Sequence, residues 1–279
     1  MENKSSNHNV AAPVQSHNIS MNDQYLQDLA DNLFHAERNR IPIQPFTEQN
    51  DSLTLSDAYA IQMKNVNRAV ALGYPVSGKK IGLTSHGIQR QFGVNEPDYG
   101  HLFAAMECRD GIVDTAQLIQ PKIEAELVFK LSADLAGGNV TVEDVKNATD
   151  YVVGAFEIVD SRVADWKIKL VDTVADNASS GRYILGEKRL NVNDVDLSAV
   201  SMGLYKNGDL VGEGTGASVQ GNPCAAVAWL ANRLWSYGVT LKKGEVILSG
   251  AFSAAPLAQK GDKFRVEFST FGSVSATFL

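Results

Sequence analysis

Two glutamates one residue apart, Glu124 and Glu126, are the first side chains in this sequence that could do chemistry together. They lie in the apolar run IEAELVFKL, which has the composition of a β-strand. Residues i and i+2 of a strand point to the same face, about 6.5–7 Å apart. Two carboxylates so placed repel each other, and a hard divalent cation such as Mg²⁺ or Mn²⁺ would relieve the repulsion. The alternative is a solvent-facing strand on which alternate residues are acidic.

A third glutamate, Glu157, interrupts the apolar run YVVGAFEIVD. Burying a lone carboxylate among Val, Ala, Phe and Ile is costly unless a cation or a hydrogen-bond donor compensates it. We therefore predict that Glu157 lies on a neighbouring strand and completes a metal site with Glu124 and Glu126. Asp160 has the opposite strand parity, so we expect it to anchor a turn together with Arg162.

A metal site of this kind indicates which ligand it could bind. Three carboxylates leave about three positions open on an octahedral ion, and the carboxylate and 2-oxo oxygens of a small 2-oxo acid can fill two of them. Because the ion and three carboxylates carry a net negative charge, an anionic ligand needs a further cation. Lys79 and Lys80 in SGKKIGLTS are candidates, and Thr84 and Ser85 carry hydroxyls suited to a carboxylate. The alternative is that these lysines are solvated, as lysines usually are.

The second dense polar stretch is VDTVADNASSGRY, which contains Ser179. It is typical of a loop built from Asx and Ser turns, and its hydroxyl and amide groups could equally contact a small polar ligand. Both interpretations stay open from the residues alone. The glycines of GEGTG lack the strand–turn–helix context of a phosphate loop, and the sequence has no G-x-S-x-G elbow.

Composition excludes several classes of function. The net charge of −7 and pI near 5.3 argue against nucleic acid, which is bound by clustered Lys and Arg. No apolar stretch has the length of a membrane span, and the N-terminus lacks the apolar region of a secretory signal. The two cysteines cannot form a disulfide framework, so we expect a cytoplasmic protein.

The elements that must position these residues fall into two regions. Residues 1–20 are rich in Asn, Ser and His and are predicted to form a disordered tail. Apolar residues at helical spacing predict helices over 23–38 and 56–71, which together indicate an N-terminal helical region over 21–75.

Residues 76–279 change to short apolar runs bounded by turn residues, as expected of a catalytic mixed-β domain. The predicted strands are KKIGLT, IEAELVFKL, YVVGAFEIVD, RYILG, SMGLYKNG, EVILSG, FRVEFS and VSATFL. Asn207-Gly208 is a hairpin signal, Thr141 opens a capping box, and Asn222 precedes a helix with proline at its first position. The strands are not spaced as regular βαβ units, so we predict an α+β fold with a mixed β core.

Several motifs resemble one known family. KKIGLTS, NEPDYG, QPKIEAEL, FEIVDSRVADWKIK, VDTVADNAS and GSVSATF are similar to the 2-oxopent-4-enoate (2-hydroxypenta-2,4-dienoate) hydratases of the fumarylacetoacetate hydrolase superfamily, which act in meta-cleavage degradation of aromatic compounds. The resemblance runs from about residue 23 to the C-terminus. It implies a mixed β-sandwich or β-roll core and a homo-oligomer. A complex with a decarboxylase partner is a further possible assembly.

The resemblance also implies roles for individual residues. It implies an Mg²⁺ or Mn²⁺ site formed by Glu124, Glu126 and Glu157. It implies an active-site Lys80, an Asp98 near the substrate and a Ser179 that lines the pocket. The candidate catalytic residues are therefore Lys80, Asp98 and Glu124. The candidate substrate-binding residues are Ser179 and Thr84, whose hydroxyl is suited to a carboxylate.

Three functions remain to be separated. The first is hydration of 2-hydroxypenta-2,4-dienoate to 4-hydroxy-2-oxopentanoate, favoured because KIG before LTS and DWKIK before DTVADNAS look more like the hydratases. The second is 4-oxalocrotonate decarboxylation in the same superfamily. Its dicarboxylate substrate needs an extra cationic or donor group at the distal end, which Lys167, Lys169 or another residue could supply. The third is a non-catalytic partner subunit, which has no need of an intact set of carboxylates.

Overall fold

The computed structural model describes residues 23–279, so the predicted disordered tail over 1–20 lies outside the described residues. Seven α-helices occur in this part of the chain: α1 Asp23–Asn39, α2 Phe46–Gln49, α3 Leu55–Ala71, α4 His86–Phe92, α5 Val142–Ala148, α6 Leu170–Ala175 and α7 Pro223–Trp235. In the stretch from 23 to 279, no helix combines the length and apolar character needed to cross a membrane.

The N-terminal helices form where the sequence pattern predicts them. Leu26, Leu29 and Leu33 of α1 share a buried face. Thr54 begins α3 with a capping box, because its side chain accepts from Asp57 N while the Asp57 carboxylate accepts from Thr54 N. The buried residues of both helices join the same apolar cluster as the strands that follow. The division at residue 75 stays a prediction.

The strands form two sheets. Their bounds are β1 Val76–Gly82, β2 Asp98–Phe103, β3 Ile112–Val113, β4 Pro121–Leu131, β5 Thr149–Asp160, β6 Ser180–Leu185, β7 Ser201–Lys206, β8 Asp209–Thr215, β9 Val246–Leu248, β10 Lys263–Phe268 and β11 Gly272–Phe278. The first sheet has the order β2-β1-β9-β4-β5-β6, with β1 and β9 parallel and the other neighbours antiparallel. The second has the order β3-β11-β10-β7-β8.

The six-stranded sheet is curled into a roll. Ser77 on β1 and Tyr183 on β6 are separated by three strands, which in a flat sheet would put them roughly 19 Å apart. Their hydroxyl oxygens nevertheless lie 3.4 Å apart. The segment after β2 also bridges to β6, because Cys108 N donates to Tyr183 O at 2.8 Å. The two edges of the sheet therefore meet.

Alternation along β4 places its residues on the two sides of this roll. Ile123, Ala125, Leu127 and Phe129 face outward and belong to the main apolar cluster, which includes residues of the second sheet and α7. Val128 faces inward and packs in a separate cluster that fills one end of the roll. The other end of the inner face carries the acidic residues. This α+β architecture with a mixed β core confirms the predicted fold class.

Hairpin and helix-capping motifs predicted from the sequence occur in the structure at three connections. Asn207 and Gly208 have φ values of 54° and 98° and join β7 to β8 as a two-residue hairpin. The Thr141 capping box begins α5, and Asn222 caps α7 by accepting from Cys224 N. No periodic pattern predicts β2, α4 or α6, because each spans only six or seven residues.

Candidate active site

Three glutamate side chains converge on the inner face of the roll. Glu124 on β4 is the register partner of Glu157 on β5, and Glu126 follows two residues along the same face. Each of the three offers a carboxylate oxygen that lies within 4.8 Å of the other two. Strand pairing thus brings together the three residues that the sequence predicted as metal ligands.

The burial of these carboxylates leaves oxygens unsatisfied. Glu126 and Glu157 have no solvent exposure. Gly250 N donates to Glu126 Oε2 at 2.8 Å. Within residues 23–279, Glu126 Oε1 and both oxygens of Glu157 have no hydrogen-bond partner. Orphaned buried carboxylate oxygens at this separation fit a hard divalent cation, which binds oxygen ligands and neutralises their charge.

Burial also changes the acidity of the cluster. It raises the pKa of Glu157 to about 7, an effect that Lys80 opposes and Glu124 reinforces. Burial raises the pKa of Glu126 well above its usual range, and the neighbouring Glu157 and Glu124 raise it further. Because Glu126 has no solvent exposure, the solvent-facing strand that the alternation of acidic residues also permitted is wrong for this part of β4.

Lys80 is the cation that lies against this cluster. Its ammonium is 3.3 Å from Glu157 Oε1 and donates to Ala178 O at 3.0 Å, and only 4% of the residue is exposed. Burial alone would lower the pKa of Lys80, but the carboxylates of Glu157 and Asp98 outweigh it and raise the pKa. The side chain therefore stays protonated at neutral pH.

Asp98 lies beside Lys80, on the neighbouring strand. It is the register partner of Gly82 and is buried, and its Oδ1 has no hydrogen-bond partner among the described residues. Burial raises the pKa of Asp98, although the positive charge of Lys80 opposes the shift. A Cβ at Gly82 would lie 2.2 Å from Asp98 Oδ1, so only glycine lets this carboxyl approach the strand.

A left-handed turn closes the site on the other side. Asn177, Ala178 and Ser179 have φ values of 55°, 49° and 54°, a conformation that costs roughly 1–2 kcal/mol per non-glycine residue. The turn directs the Ala178 carbonyl at Lys80. It is held by the Asn177 side chain, which accepts from His101 N and donates to His101 O. Strain fixed in this way is typical of functional sites.

These groups surround one cavity of about 640 Å³. Its wall contains all five residues predicted to be catalytic or to bind substrate: Lys80, Thr84, Asp98, Glu124 and Ser179. Ser179 Oγ lies 3.3 Å from Thr173 Oγ1 and 3.4 Å from Asp176 Oδ2. Glu126 and Glu157 are fully buried beside Glu124 and are not part of this wall.

Among the wall residues that the sequence did not point to are Lys122 and Trp166. Lys122 Nζ lies over the Trp166 ring, 4.2 Å from its centroid. Strand parity could have identified Lys122, because it precedes Glu124 by two residues. No signal pointed to Trp166. Lys167 and Lys169, considered as distal cations for a dicarboxylate, are not part of this wall.

Asp160 and Arg162 anchor the end of β5, although not to each other's side chains. The Asp160 carboxylate accepts from Ile119 N and Gln120 N. The Arg162 guanidinium instead pairs with Asp176, Nε to Oδ1 at 2.5 Å, and donates to the Asp160 carbonyl. Both residues thus anchor this turn, in agreement with the structural role that strand parity indicated, and they do so through separate partners.

Comparison with known proteins agrees with this architecture. Residues 103–279 match the model of the fumarylacetoacetate (FAA) hydrolase C-terminal family. The chain is 43% identical to a 2-hydroxyhexa-2,4-dienoate hydratase from Comamonas testosteroni, over 91% of this chain and 98% of that protein. It is 44% identical to a 2-keto-4-pentenoate hydratase from Paraburkholderia xenovorans (strain LB400), over 92% and 96% of the two chains.

A solved structure is similar along almost the whole chain. The 4-oxalocrotonate decarboxylase from Pseudomonas putida G7, complexed with magnesium and adipate, is 38% identical and superimposes with a TM-score of 0.91. The alignment covers 94% of this chain and all of that one. The family match, the sequence identities and the superposition agree, and the chain belongs to the fumarylacetoacetate hydrolase family.

Proposed function

We propose that this protein is a metal-dependent hydratase that adds water to 2-hydroxypenta-2,4-dienoate and yields 4-hydroxy-2-oxopentanoate. The observation that carries the proposal is the convergence of Glu124, Glu126 and Glu157, in which Glu126 Oε1 and both Glu157 oxygens are buried without a hydrogen-bond donor among the residues that the structure describes. Glu124 also lines a cavity whose wall contains Lys80 and Asp98. Relatives at 43–44% identity over more than nine-tenths of the chain bear the names of hydratases of such dienoates.

The three glutamates would hold one divalent ion, which we propose to be Mg²⁺ or Mn²⁺. When bound, the ion would supply Lewis acidity to the carboxylate and 2-oxo oxygens of the substrate. The magnesium complex of the similar decarboxylase supports an ion of this class. Gly250 N fixes one oxygen of Glu126, which leaves the other free for a cation.

The remaining residues would bind substrate and move protons. The protonated Lys80 ammonium stabilises negative charge that develops on the C2 oxygen as the 2-hydroxyl loses its proton. Asp98 or Glu124 accepts the proton of the 2-hydroxyl and delivers it to C5, which converts the dienol to the conjugated 2-oxo-3-enoate. Water then adds across the C3–C4 bond, with its oxygen on C4 and a proton on C3. Thr84 and Ser179 supply hydroxyl groups at the cavity wall.

Decarboxylation of 4-oxalocrotonate is the second candidate function, because the structure of a 4-oxalocrotonate decarboxylase superimposes on this chain with a TM-score of 0.91. Its identity of 38% is lower than that of the hydratases. The non-catalytic partner subunit is the third candidate. Cytoplasmic location, homo-oligomeric assembly and a complex with a decarboxylase partner stay predictions from the sequence.

One assay separates these candidates. Purified, metal-stripped protein is given 2-hydroxypenta-2,4-dienoate or 2-oxohex-3-enedioate, before and after Mg²⁺ or Mn²⁺ is restored. We expect metal-dependent hydration of the first compound and no CO₂ from the second. Release of CO₂ from the second without hydration of the first would establish the decarboxylase instead. Absence of turnover with either compound in the presence of metal would support the non-catalytic subunit.

A further inference from the structure

Lys122 is a basic side chain on the cavity wall whose hydrogen-bonding capacity is unused. Its Nζ lies 4.2 Å from the centroid of the Trp166 ring. Among residues 23–279 it has no ion pair within 4.0 Å and no side-chain hydrogen bond. A lysine ammonium carries three N–H donors, so the donors that are not directed at the ring are available to a ligand in the cavity.

The ring under this ammonium is held in place. Asp165 and Trp166 both have positive φ, 57° and 56°, and Trp166 Nε1 donates to Gln120 O at 3.0 Å. A cation over the face of a tryptophan is attracted by the ring quadrupole, while its N–H groups stay free to donate. The fixed ring therefore restricts where the ammonium lies, unlike that of an ordinary solvated lysine.

Lys122 and Lys80 lie at different levels of the sheet, because Lys80 is level with Val128 through Leu248 of β9, whereas Glu124 and Glu126 separate Val128 from Lys122 along β4. Lys122 precedes Glu124 by two residues on the inner face of β4, near the start of the strand. Lys80 contacts Glu157 and donates to Ala178 O, so its charge and one of its donors are already engaged. In the described part of the chain, these two are the basic residues that line the cavity. Lys122 is thus the uncommitted cation for a bound anion.

We propose that Lys122, held over Trp166, donates hydrogen bonds to the carboxylate of the 2-oxo acid and sets its orientation. The substrate carboxylate would then lie near Lys122, and its carbon chain would extend toward Lys80 and Asp98, where the proton is transferred. This inference rests on the proposed function, because it assigns one end of the substrate of the same site.

The test measures binding of pyruvate, a 2-oxo acid without the diene, to the full-length Mg²⁺-loaded protein by isothermal titration calorimetry. Lys122→Met keeps an unbranched side chain over the Trp166 ring but removes the charge. We expect Lys122→Met to weaken pyruvate binding by roughly tenfold, the scale of one hydrogen bond to a charged group. Lys122→Arg should restore most of the affinity. Mn²⁺ affinity measured without pyruvate should be unchanged in both variants.

Lys167→Met is the matched control, because Lys167 is adjacent to Trp166 but is exposed and pairs with Asp165. We expect it to bind pyruvate as the wild type does. Unchanged pyruvate binding by Lys122→Met would overturn the proposal. So would weakened binding of adipate with unchanged binding of pyruvate, since Lys122 would then recognise a distal carboxylate. If the wild type hydrates no dienoate but loses pyruvate affinity on Lys122→Met, the proposed function fails and this inference stands.

Discussion

Glu124 and Glu157 face each other as register partners across the antiparallel ladder of β4 and β5. Side chains of directly opposed strand residues approach to about 4.5–5.5 Å at Cβ, and like charges at that separation are destabilising. Glu126 adds a third carboxylate with an oxygen within 4.8 Å of the other two. The fold therefore concentrates negative charge at one buried point, and the first two predictions follow from that concentration.

The first prediction concerns Glu124, the member of the cluster that reaches the cavity. Glu124→Gln keeps the shape of the side chain but removes its charge, so we expect metal affinity and kcat/KM each to fall by roughly 100-fold. Metal titration and steady-state hydration kinetics measure the two effects. Glu267→Gln is the control, because Glu267 is exposed on β10. Wild-type rates from a correctly folded Glu124→Gln protein would disprove the metal site.

The second prediction concerns stability. A ligand that binds only the folded protein stabilises it by about 2.7 kcal/mol at 100 times its Kd, which corresponds to a rise in Tm of roughly 5–10 °C for a chain of this size. We expect Mg²⁺ or Mn²⁺ to produce such a rise in the wild type. Differential scanning calorimetry measures it.

Glu157→Gln provides the contrast for that experiment. The variant has one fewer buried carboxylate, and Lys80 keeps Asp98, Glu124 and Glu126 as compensating charges. We therefore expect its metal-free form to melt at a higher temperature than the metal-free wild type. The same variant should respond little to added metal, because a ligand is missing. Equal metal-induced rises in Tm for the two proteins would show that Glu157 does not bind the ion.

Much of this site could be predicted from β4 and β5, because alternation along a strand is a local property. The same alternation could not show which face is buried. That depends on the contact of Ser77 with Tyr183, which closes the roll between distant strands. The left-handed turn at Ala178 was equally inaccessible, because a positive φ in a non-glycine residue is imposed by its tertiary contacts.

The third prediction concerns Gly250, which donates its N–H to Glu126 and has φ 116°. A Cβ there would lie 2.3 Å from Thr84 Oγ1, so Gly250→Ala must displace either Thr84 or its own backbone. We expect a loss of about 1–3 kcal/mol of stability together with weaker metal binding. Urea denaturation and metal titration measure the two effects.

Gly244→Ala separates backbone strain from steric contact in that experiment. Gly244 has φ 87°, but a Cβ there would meet no heavy atom of the described chain within 4 Å. We expect Gly244→Ala to cost stability through strain alone and to leave metal affinity unchanged. If both glycine variants weaken metal binding equally, the effect is not transmitted through the Gly250–Glu126 hydrogen bond.

The fourth prediction concerns the buried pair of Arg162 and Asp176, which holds the start of the left-handed turn. Arg162 Nη2 donates to Asp176 O, and Nη1 donates to Ser180 O, so one guanidinium spans the turn from end to end. Arg162→Met would leave the Asp176 carboxylate buried without its cation. We expect a loss of about 3–5 kcal/mol in the free energy of unfolding, measured by urea denaturation.

The double variant Arg162→Met/Asp176→Asn should recover part of that loss, because it leaves no uncompensated charge in the interior. Arg265→Met is the exposed counterpart, since Arg265 pairs with Glu267 at 3.0 Å on the surface. It should change stability by no more than about 0.5 kcal/mol, because exposed ion pairs contribute little. A double variant as unstable as the sum of its two single variants would show that Arg162 acts through its backbone contacts alone. In that case the charge of Asp176 would have no part in holding Ala178 against Lys80.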